Sequence, residues 1–159
     1  MKRWLLWFLL APQTFLLAGL WHDVGLPAFE IGALACLHLA LFAERRSVPW
    51  LLLGLAMGRA LVDDASLPIH LLVLGIPVAV LLPLRTVLPG AWLPLQVAVA
   101  LLYAVAIPKL SLLLGVVFAQ PTAAGRLDGG VVAWSAVLVP ALLVGLRRLP
   151  PWAAFEEVR

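Results

Sequence analysis

Charged residues inside an apolar stretch are the part of this sequence that could do chemistry. Arg59 and Asp63 lie four positions apart in the stretch GLAMGRALVDD, so they share one face if that stretch is a helix. A charge at the centre of a membrane helix costs about 2.5–3.5 kcal/mol, and an arginine–aspartate pair would offset much of that cost. The spacing therefore predicts an internal ion pair at membrane depth.

Three further ionisable residues are expected at a similar depth. Glu30 begins the second apolar run, Asp64 follows Asp63, and Lys109 interrupts the fifth apolar run. One hypothesis is a polar cluster in the outer leaflet, formed by Glu30, Arg59, Asp63, Asp64 and Lys109. The alternative is that each of these side chains reaches singly to the membrane interface.

Gly54 and Gly58 form a small-xxx-small pair beside this arginine. Such a pair lets a neighbouring helix approach closely. The neighbour can be another helix of the same chain or a helix of a partner protein. The sequence favours the first interpretation, because small residues are common in membrane helices.

No catalytic or cofactor motif accompanies these residues. A nucleophile elbow, a zinc-protease motif, a phosphate-binding loop and a dinucleotide fingerprint are all missing from the sequence. Two membrane histidines can hold haem, but His38 and His70 are expected at different depths, which favours hydrogen bonds to neighbouring helices. Cys36 is the single cysteine, so no intrachain disulfide can form. We therefore predict a protein that is not an enzyme and has no cofactor or metal.

Composition indicates that the elements carrying these residues are membrane helices. Hydrophobic residues make up 64% of the 159 positions and charged residues 12%, and the mean hydropathy is +1.09. A soluble domain of this length needs a more polar surface. The net charge of +3 does not indicate nucleic-acid binding, because the basic residues are divided among helix ends.

Apolar runs predict an all-α, polytopic membrane protein in one domain. The N-terminal run resembles a signal peptide but lacks a convincing cleavage site, so we expect it to be retained as the first span. Pro12 is expected to kink that span, and the fifth span is either one tilted helix or two half-helices broken at Pro108 and Lys109. The predicted spans cover residues of about 4–20, 28–43, 49–63, 69–84, 91–119 and 131–146.

Loop charges predict the orientation of these six spans. With the N-terminus in the cytoplasm, the cytoplasmic side holds Lys2, Arg3, Arg45, Arg46, Arg85, Arg147, Arg148 and Arg159, and the other side only Arg126. Basic loop residues accumulate in the cytoplasm, so both termini are expected there. Residues 147–159 are expected to form a short tail.

The central part of the chain resembles the rod shape-determining protein D family (MreD). The likeness covers residues 27–85: an apolar span after Pro27, the basic turn ERRSV, a glycine-containing span that ends in aspartate, a turn and a further apolar span. It depends most on Gly54, Met57, Gly58 and Asp63. The departures are Ala65–Pro68 where the family usually has glycines, and Arg59 within the third span.

This resemblance implies a non-enzymatic scaffold of the bacterial cell-elongation complex, which builds peptidoglycan and controls cell shape. It implies an inner-membrane location, a bitopic partner with a periplasmic domain, and association with cell-wall synthases. It also implies a fold similar to the substrate-binding subunits of energy-coupling-factor transporters. Two alternatives remain open: a small-molecule-binding subunit of a transporter, with the polar cluster as its pocket, and an accessory subunit of another membrane complex.

Overall fold

The structure, a computed structural model, describes residues 2–86, 92–121 and 128–156 of the chain. Within these ranges the chain is all-helical, which confirms the predicted fold class, and no β-strand is present. Short 3₁₀ turns at Leu84–Thr86 and Ala153–Phe155 follow the fifth and the last helix. The helices are α1 (Lys2–Leu10), α2 (Gln13–Asp23), α3 (Ile31–Leu41), α4 (Val48–Ala60), α5 (Leu67–Leu81), α6 (Leu93–Val117) and α7 (Gly129–Leu146).

Within the residues that the structure describes, four helical segments are long and apolar enough to cross a membrane. They are Lys2–Trp21, which joins α1 and α2, Leu67–Thr86, Leu93–Val117 and Gly129–Leu146. Helices α3 and α4 are also apolar but have only 11 and 13 residues. An 11-residue helix covers about 16 Å, roughly half of a hydrocarbon core of about 30 Å. The described helices are thus consistent with a membrane protein, and four of them have the length that a crossing needs.

Helix α3 occupies the centre of the bundle. Every residue from Gly32 to Leu41 is buried, and the helix packs against α5, α6 and α7. A helix that is apolar on all sides is typical of such a surrounded position. Short helices and irregular backbone are tolerated at membrane depth where other protein segments cover them, so the central position accommodates the short length of α3.

Two prolines of the apolar runs have opposite effects. The first span is divided by a turn at Ala11 and Pro12, where the Thr14 hydroxyl donates to the Ala11 carbonyl oxygen at 2.6 Å. Helix α6 contains Pro108 and continues unbroken from Leu93 to Val117. Proline removes one backbone donor and crowds the preceding turn. At Pro12 the Thr14 hydroxyl bonds to the backbone within the turn. At Pro108 the helix continues, as the single-helix alternative for the fifth span expected.

Contacts between helix termini define two ends of the bundle. Arg85 Nη1 donates to the carbonyl oxygen of Ala43, which follows α3. Arg147 follows α7, and its Cζ lies 4.1 Å from the centroid of the Phe42 ring. We call this the basic end. Its described basic residues are Lys2, Arg3, Arg45, Arg46, Arg85, Arg147 and Arg148.

The opposite end holds most of the described carboxylates. There the Glu30 backbone N–H donates to Ser135 Oγ at 2.9 Å, and the Ser66 backbone N–H donates to Gln120 Oε1 at 2.9 Å. We call it the acidic end, and its acidic residues are Asp23, Glu30, Asp63, Asp64 and Asp128. The charge segregation along the sequence thus corresponds to two ends of one bundle. Arg126 and Arg159 lie outside the described residues.

Candidate functional site

Glu30 and Arg59 form an ion pair between two helices near the acidic end. Glu30 is the N-cap of α3, where its Oε1 accepts a hydrogen bond from the Gly32 backbone N–H at 3.2 Å. Arg59 comes from the last turn of α4, and its Nη1 lies 3.7 Å from Glu30 Oε1. The side chains are 12% and 18% exposed. The distance exceeds that of a hydrogen bond, so charge attraction links α3 to α4.

The space beside this pair is filled by the chain itself. A Cβ atom added to Gly32 would lie 2.8 Å from Glu30 Oε1, 3.3 Å from Arg59 Nη1 and 3.4 Å from Ile107 Cδ1 of α6. Only a glycine therefore fits at this position without displacing the pair. The pair is therefore closely packed on the side of Gly32, as a structural ion pair would be.

The other residues of the predicted polar cluster lie in different surroundings. Asp63 is in the turn after α4, where its backbone N–H donates to the Arg59 carbonyl oxygen at 3.0 Å and its Oδ1 accepts from the Ala65 N–H at 3.5 Å. Asp64 and Lys109 are exposed, and Lys109 forms no ion pair with another described residue. The structure thus brings Glu30 and Arg59 together, and a functional role for the five residues stays a prediction.

The glycine pair of α4 is covered by the first span of the same chain. A Cβ at Gly54 would lie 2.5 Å from Trp7 Nε1, and a Cβ at Gly58 would lie 2.5 Å from Pro12 Cα. The Trp7 indole N–H donates to the Leu51 carbonyl oxygen at 3.2 Å. Both glycines are therefore used for close packing within the chain, which is the interpretation that the sequence favoured.

Met57 is the one residue of this predicted contact surface that faces outward. It lies between the two glycines in sequence, and its side chain is 43% exposed. Leu61, four residues later, is 68% exposed on the same side of the segment. A partner helix that approaches α4 from outside would meet these two side chains and not the glycines.

Residues 147–156, which we call the C-terminal segment, fold back over the basic end. The Glu44 backbone N–H donates to the Phe155 carbonyl oxygen at 2.7 Å, and Ala43 and Glu156 form an isolated antiparallel bridge. The Trp152 side chain is 4% exposed and that of Phe155 is 1% exposed. The prediction of a short tail missed this packing, although two aromatic residues in so short a segment are a signal that could have indicated it.

Aromatic rings from both termini meet beneath the C-terminal segment. The Trp7 ring of α1 contacts the Trp152 ring at a centroid distance of 4.8 Å, nearly perpendicular at 79°. The Trp4 and Phe155 rings are 4.5 Å apart. Edge-to-face aromatic pairs add about 0.5–1.5 kcal/mol to the gain from burial. The first and last parts of the described chain are thereby held together.

His38 and His70 lie in different surroundings. His38 is 1% exposed and lies against the Trp152 ring at a centroid distance of 5.0 Å, and His70 is fully buried in α5. In the ranges that the structure describes, no group of three or more His, Cys, Asp or Glu residues could hold a metal ion.

Comparisons with known proteins identify no relative of this chain. No protein-family model, no curated protein and no solved structure matches it. The resemblance to the rod shape-determining protein D family therefore depends on the sequence pattern alone, and the bundle is interpreted from its own contacts.

Proposed function

We propose that this chain is a non-enzymatic membrane scaffold, a subunit that works by contacting other membrane proteins. One observation carries the proposal: the charged pair near the acidic end, Glu30 and Arg59, is packed against the chain's own atoms, so that a Cβ at Gly32 would meet both charged groups and Ile107. A pocket for substrate would need room beside such polar groups. The outward surface of the helices is apolar and suits contact with lipid and with partner helices.

The complex that we propose is the bacterial cell-elongation complex, which builds peptidoglycan and determines cell shape. The resemblance of residues 27–85 to the rod shape-determining protein D family supports this assignment. The proposed partners are a bitopic protein with a periplasmic domain and the cell-wall synthases. The proposed fold, by the same resemblance, is similar to the substrate-binding subunits of energy-coupling-factor transporters.

The proposed topology has six crossings of the inner membrane, with both termini in the cytoplasm. Its support is that the termini of α1, α3 and α7 and the turn after α5 meet at the basic end, through contacts of Arg3, Arg85 and Arg147. Helices α3 and α4 then connect the same two ends as the four longer segments. Basic residues accumulate on the cytoplasmic side, which gives the bundle its direction.

The proposed partner surface is the outward face of α4 at Met57 and Leu61. The glycines on the opposite side of α4 are already covered by Trp7 and Pro12, so they contribute to partner binding only by holding α4 in place. A single-span partner helix would pack its apolar side chains against this face, as membrane helices associate through close van der Waals contact.

Co-purification in mild detergent tests the proposal. We expect the tagged protein to recover a bitopic periplasmic protein and cell-wall synthases, identified by mass spectrometry. A bulky Met57→Trp substitution should lower that recovery. Val137→Trp, at a position of α7 that is 63% exposed, serves as the matched control and should leave recovery unchanged.

Other outcomes of the same experiment would replace the proposal. Recovery of an ATPase pair would indicate the transporter subunit, and recovery of respiratory or photosynthetic subunits would indicate an accessory role in a bioenergetic complex. Recovery of no partner at all would contradict a scaffold function.

A further inference from the structure

An aromatic groove opens between α1 and α4 near the basic end. Its volume is about 320 Å³, and Trp4, Phe8 and Trp50 line it. This volume is at the lower limit of ligand pockets, which span roughly 300–1,000 Å³. Trp50 is 58% exposed, so the groove is open to whatever surrounds the bundle.

The groove has a closed end toward the middle of the bundle. Phe8 Cδ1 lies 3.5 Å from the position that a Cβ would take on Gly54, so α1 and α4 are in direct contact there. Trp4 and Phe8 are one helical turn apart, which corresponds to about 6 Å along the axis. The groove therefore extends from the helix termini inward by about one turn, as a slot with apolar walls.

Basic residues occupy the start of α1 and the turn before α4, the two elements that carry the residues lining this slot. Lys2 and Arg3 begin α1, and the exposed Arg45 and Arg46 form the turn directly before α4. Arg3 Cζ lies 5.9 Å from the centroid of the Trp4 ring, and the Arg3 side chain is 50% exposed.

Among the described residues, a carboxylate accompanies these cations. Glu44 lies 3.9 Å from Arg3, and both side chains are about half exposed, at 41% and 50%. An exposed pair at that distance is weak and screened by salt, so it leaves the excess positive charge at the mouth in place. An apolar slot below a cluster of cations matches a molecule with an apolar chain and an anionic head.

We propose that this groove binds an anionic membrane phospholipid, with its headgroup at Arg45 and Arg46 and part of one acyl chain between Trp4, Phe8 and Trp50. Tryptophan is enriched at the level of lipid headgroups, and basic pockets between membrane helices bind anionic headgroups. The proposal requires only that the bundle lies in a membrane, and it is independent of which complex the chain joins.

Native mass spectrometry of the purified full-length protein tests this site. Phosphatidylglycerol and phosphatidylcholine with identical acyl chains are added in parallel, and retained lipid is counted. We expect retention of phosphatidylglycerol in preference to phosphatidylcholine. Equal retention of both lipids, or retention of neither, would overturn the proposal.

Charge variants locate the headgroup. A basic residue near an anionic lipid contributes about 1 kcal/mol, so Arg46→Gln should weaken phosphatidylglycerol binding about fivefold, and Arg45→Gln with Arg46→Gln about 30-fold. Arg148→Gln, an exposed arginine of the same end that follows α7, is the matched control and should change binding less than twofold. If Arg46→Gln and Arg148→Gln behave alike, the headgroup position is refuted.

Lining variants locate the acyl chain. Trp50→Ala should reduce lipid retention, whereas Trp92→Ala should not, although the two side chains are similarly exposed, at 58% and 55%. Circular dichroism and gel filtration confirm that each variant is folded, and Trp50→Phe provides a milder change at the same position. Equal retention by the Trp50 and Trp92 variants would place the lipid elsewhere and overturn the proposed groove.

Discussion

The basic end and the acidic end of this bundle stabilise their charges in different ways. At the basic end, Arg85 is buried and donates to backbone carbonyl oxygens, while Arg147 stacks on Phe42 and pairs with Glu156 at 2.7 Å. At the acidic end, Arg59 Nη1 lies 3.7 Å from a carboxylate oxygen of Glu30.

This difference indicates where each end obtains its stability. The basic end combines its cations with a cluster of aromatic rings and with the C-terminal segment, so loss of one charge leaves the packing intact. At the acidic end an ion pair links α3 to α4, so loss of the Arg59 charge removes the cation beside Glu30. Packing should therefore dominate at the basic end and charge at the acidic end.

The largest effect is expected from removal of an aromatic side chain at the basic end. Phe155→Ala should lower the free energy of unfolding by about 3–5 kcal/mol, because the ring is fully enclosed and leaves a cavity. Unfolding in detergent, followed by circular dichroism, measures the change. Phe118→Ala, at a position that is 53% exposed, is the control, and equal losses for both variants would refute the packing argument.

A charge variant tests the acidic end. Arg59→Leu should destabilise the fold by about 2–3 kcal/mol, because it leaves Glu30 without its cation in a largely apolar setting. This loss of stability is smaller than that expected for a fully buried ion pair, because both side chains retain some exposure.

The double variant Glu30→Gln with Arg59→Leu should recover most of this loss, because no unpaired charge then remains. The coupling energy comes from a double-mutant cycle of unfolding free energies. Additive losses would contradict the direct link between α3 and α4, and an unchanged Arg59→Leu protein would contradict any role of this charge in folding.

Close helix packing beside the acidic end gives a smaller predicted effect. Gly58→Ala should lower the free energy of unfolding by about 1–2 kcal/mol. The added methyl meets the backbone of Pro12, and this cost exceeds the gain from the higher helix propensity of alanine. Gly75→Ala in α5 is the matched control, since a Cβ there meets nothing within 4 Å. It should be neutral or stabilising by up to about 1 kcal/mol, and loss of stability in both variants would contradict the account.

The smallest effect is expected from an exposed charge at the basic end. Arg147→Gln removes the pair with Glu156, in which the arginine side chain is 41% exposed, and should cost less than about 1 kcal/mol. The loss should shrink as salt is added to the unfolding measurement. A loss as large as that of Arg59→Leu would remove the distinction between the two ends.

Local patterns predicted the all-helical fold class because apolar runs and prolines act over a few residues. The kink expected at Pro12 falls where the structure has a turn at Ala11 and Pro12. The sequence does not decide whether α6 breaks at Pro108. The outcome depends on neighbouring groups that can hydrogen-bond to the backbone groups that the proline leaves without a partner.

Contacts between distant residues were not predictable from the same patterns. Helical spacing pointed from Arg59 to Asp63, but it gave no indication of the ion pair that Arg59 forms with Glu30, 29 positions earlier. The C-terminal segment was missed for a related reason: it is too short for a hydropathy signal, and its burial depends on Trp7 and Ala43, which are distant from it in the sequence.

Cysteine accessibility tests most directly the claim that the two ends face opposite sides of a membrane. The native Cys36 is buried and is replaced by alanine, and single cysteines are placed at the exposed positions Arg46 and Asp64. In intact spheroplasts, a membrane-impermeant maleimide should label the Asp64→Cys protein at once and the Arg46→Cys protein only after the membrane is permeabilised. Labelling of both proteins from outside would contradict the account, because α3 and α4 would then not connect opposite sides of the membrane.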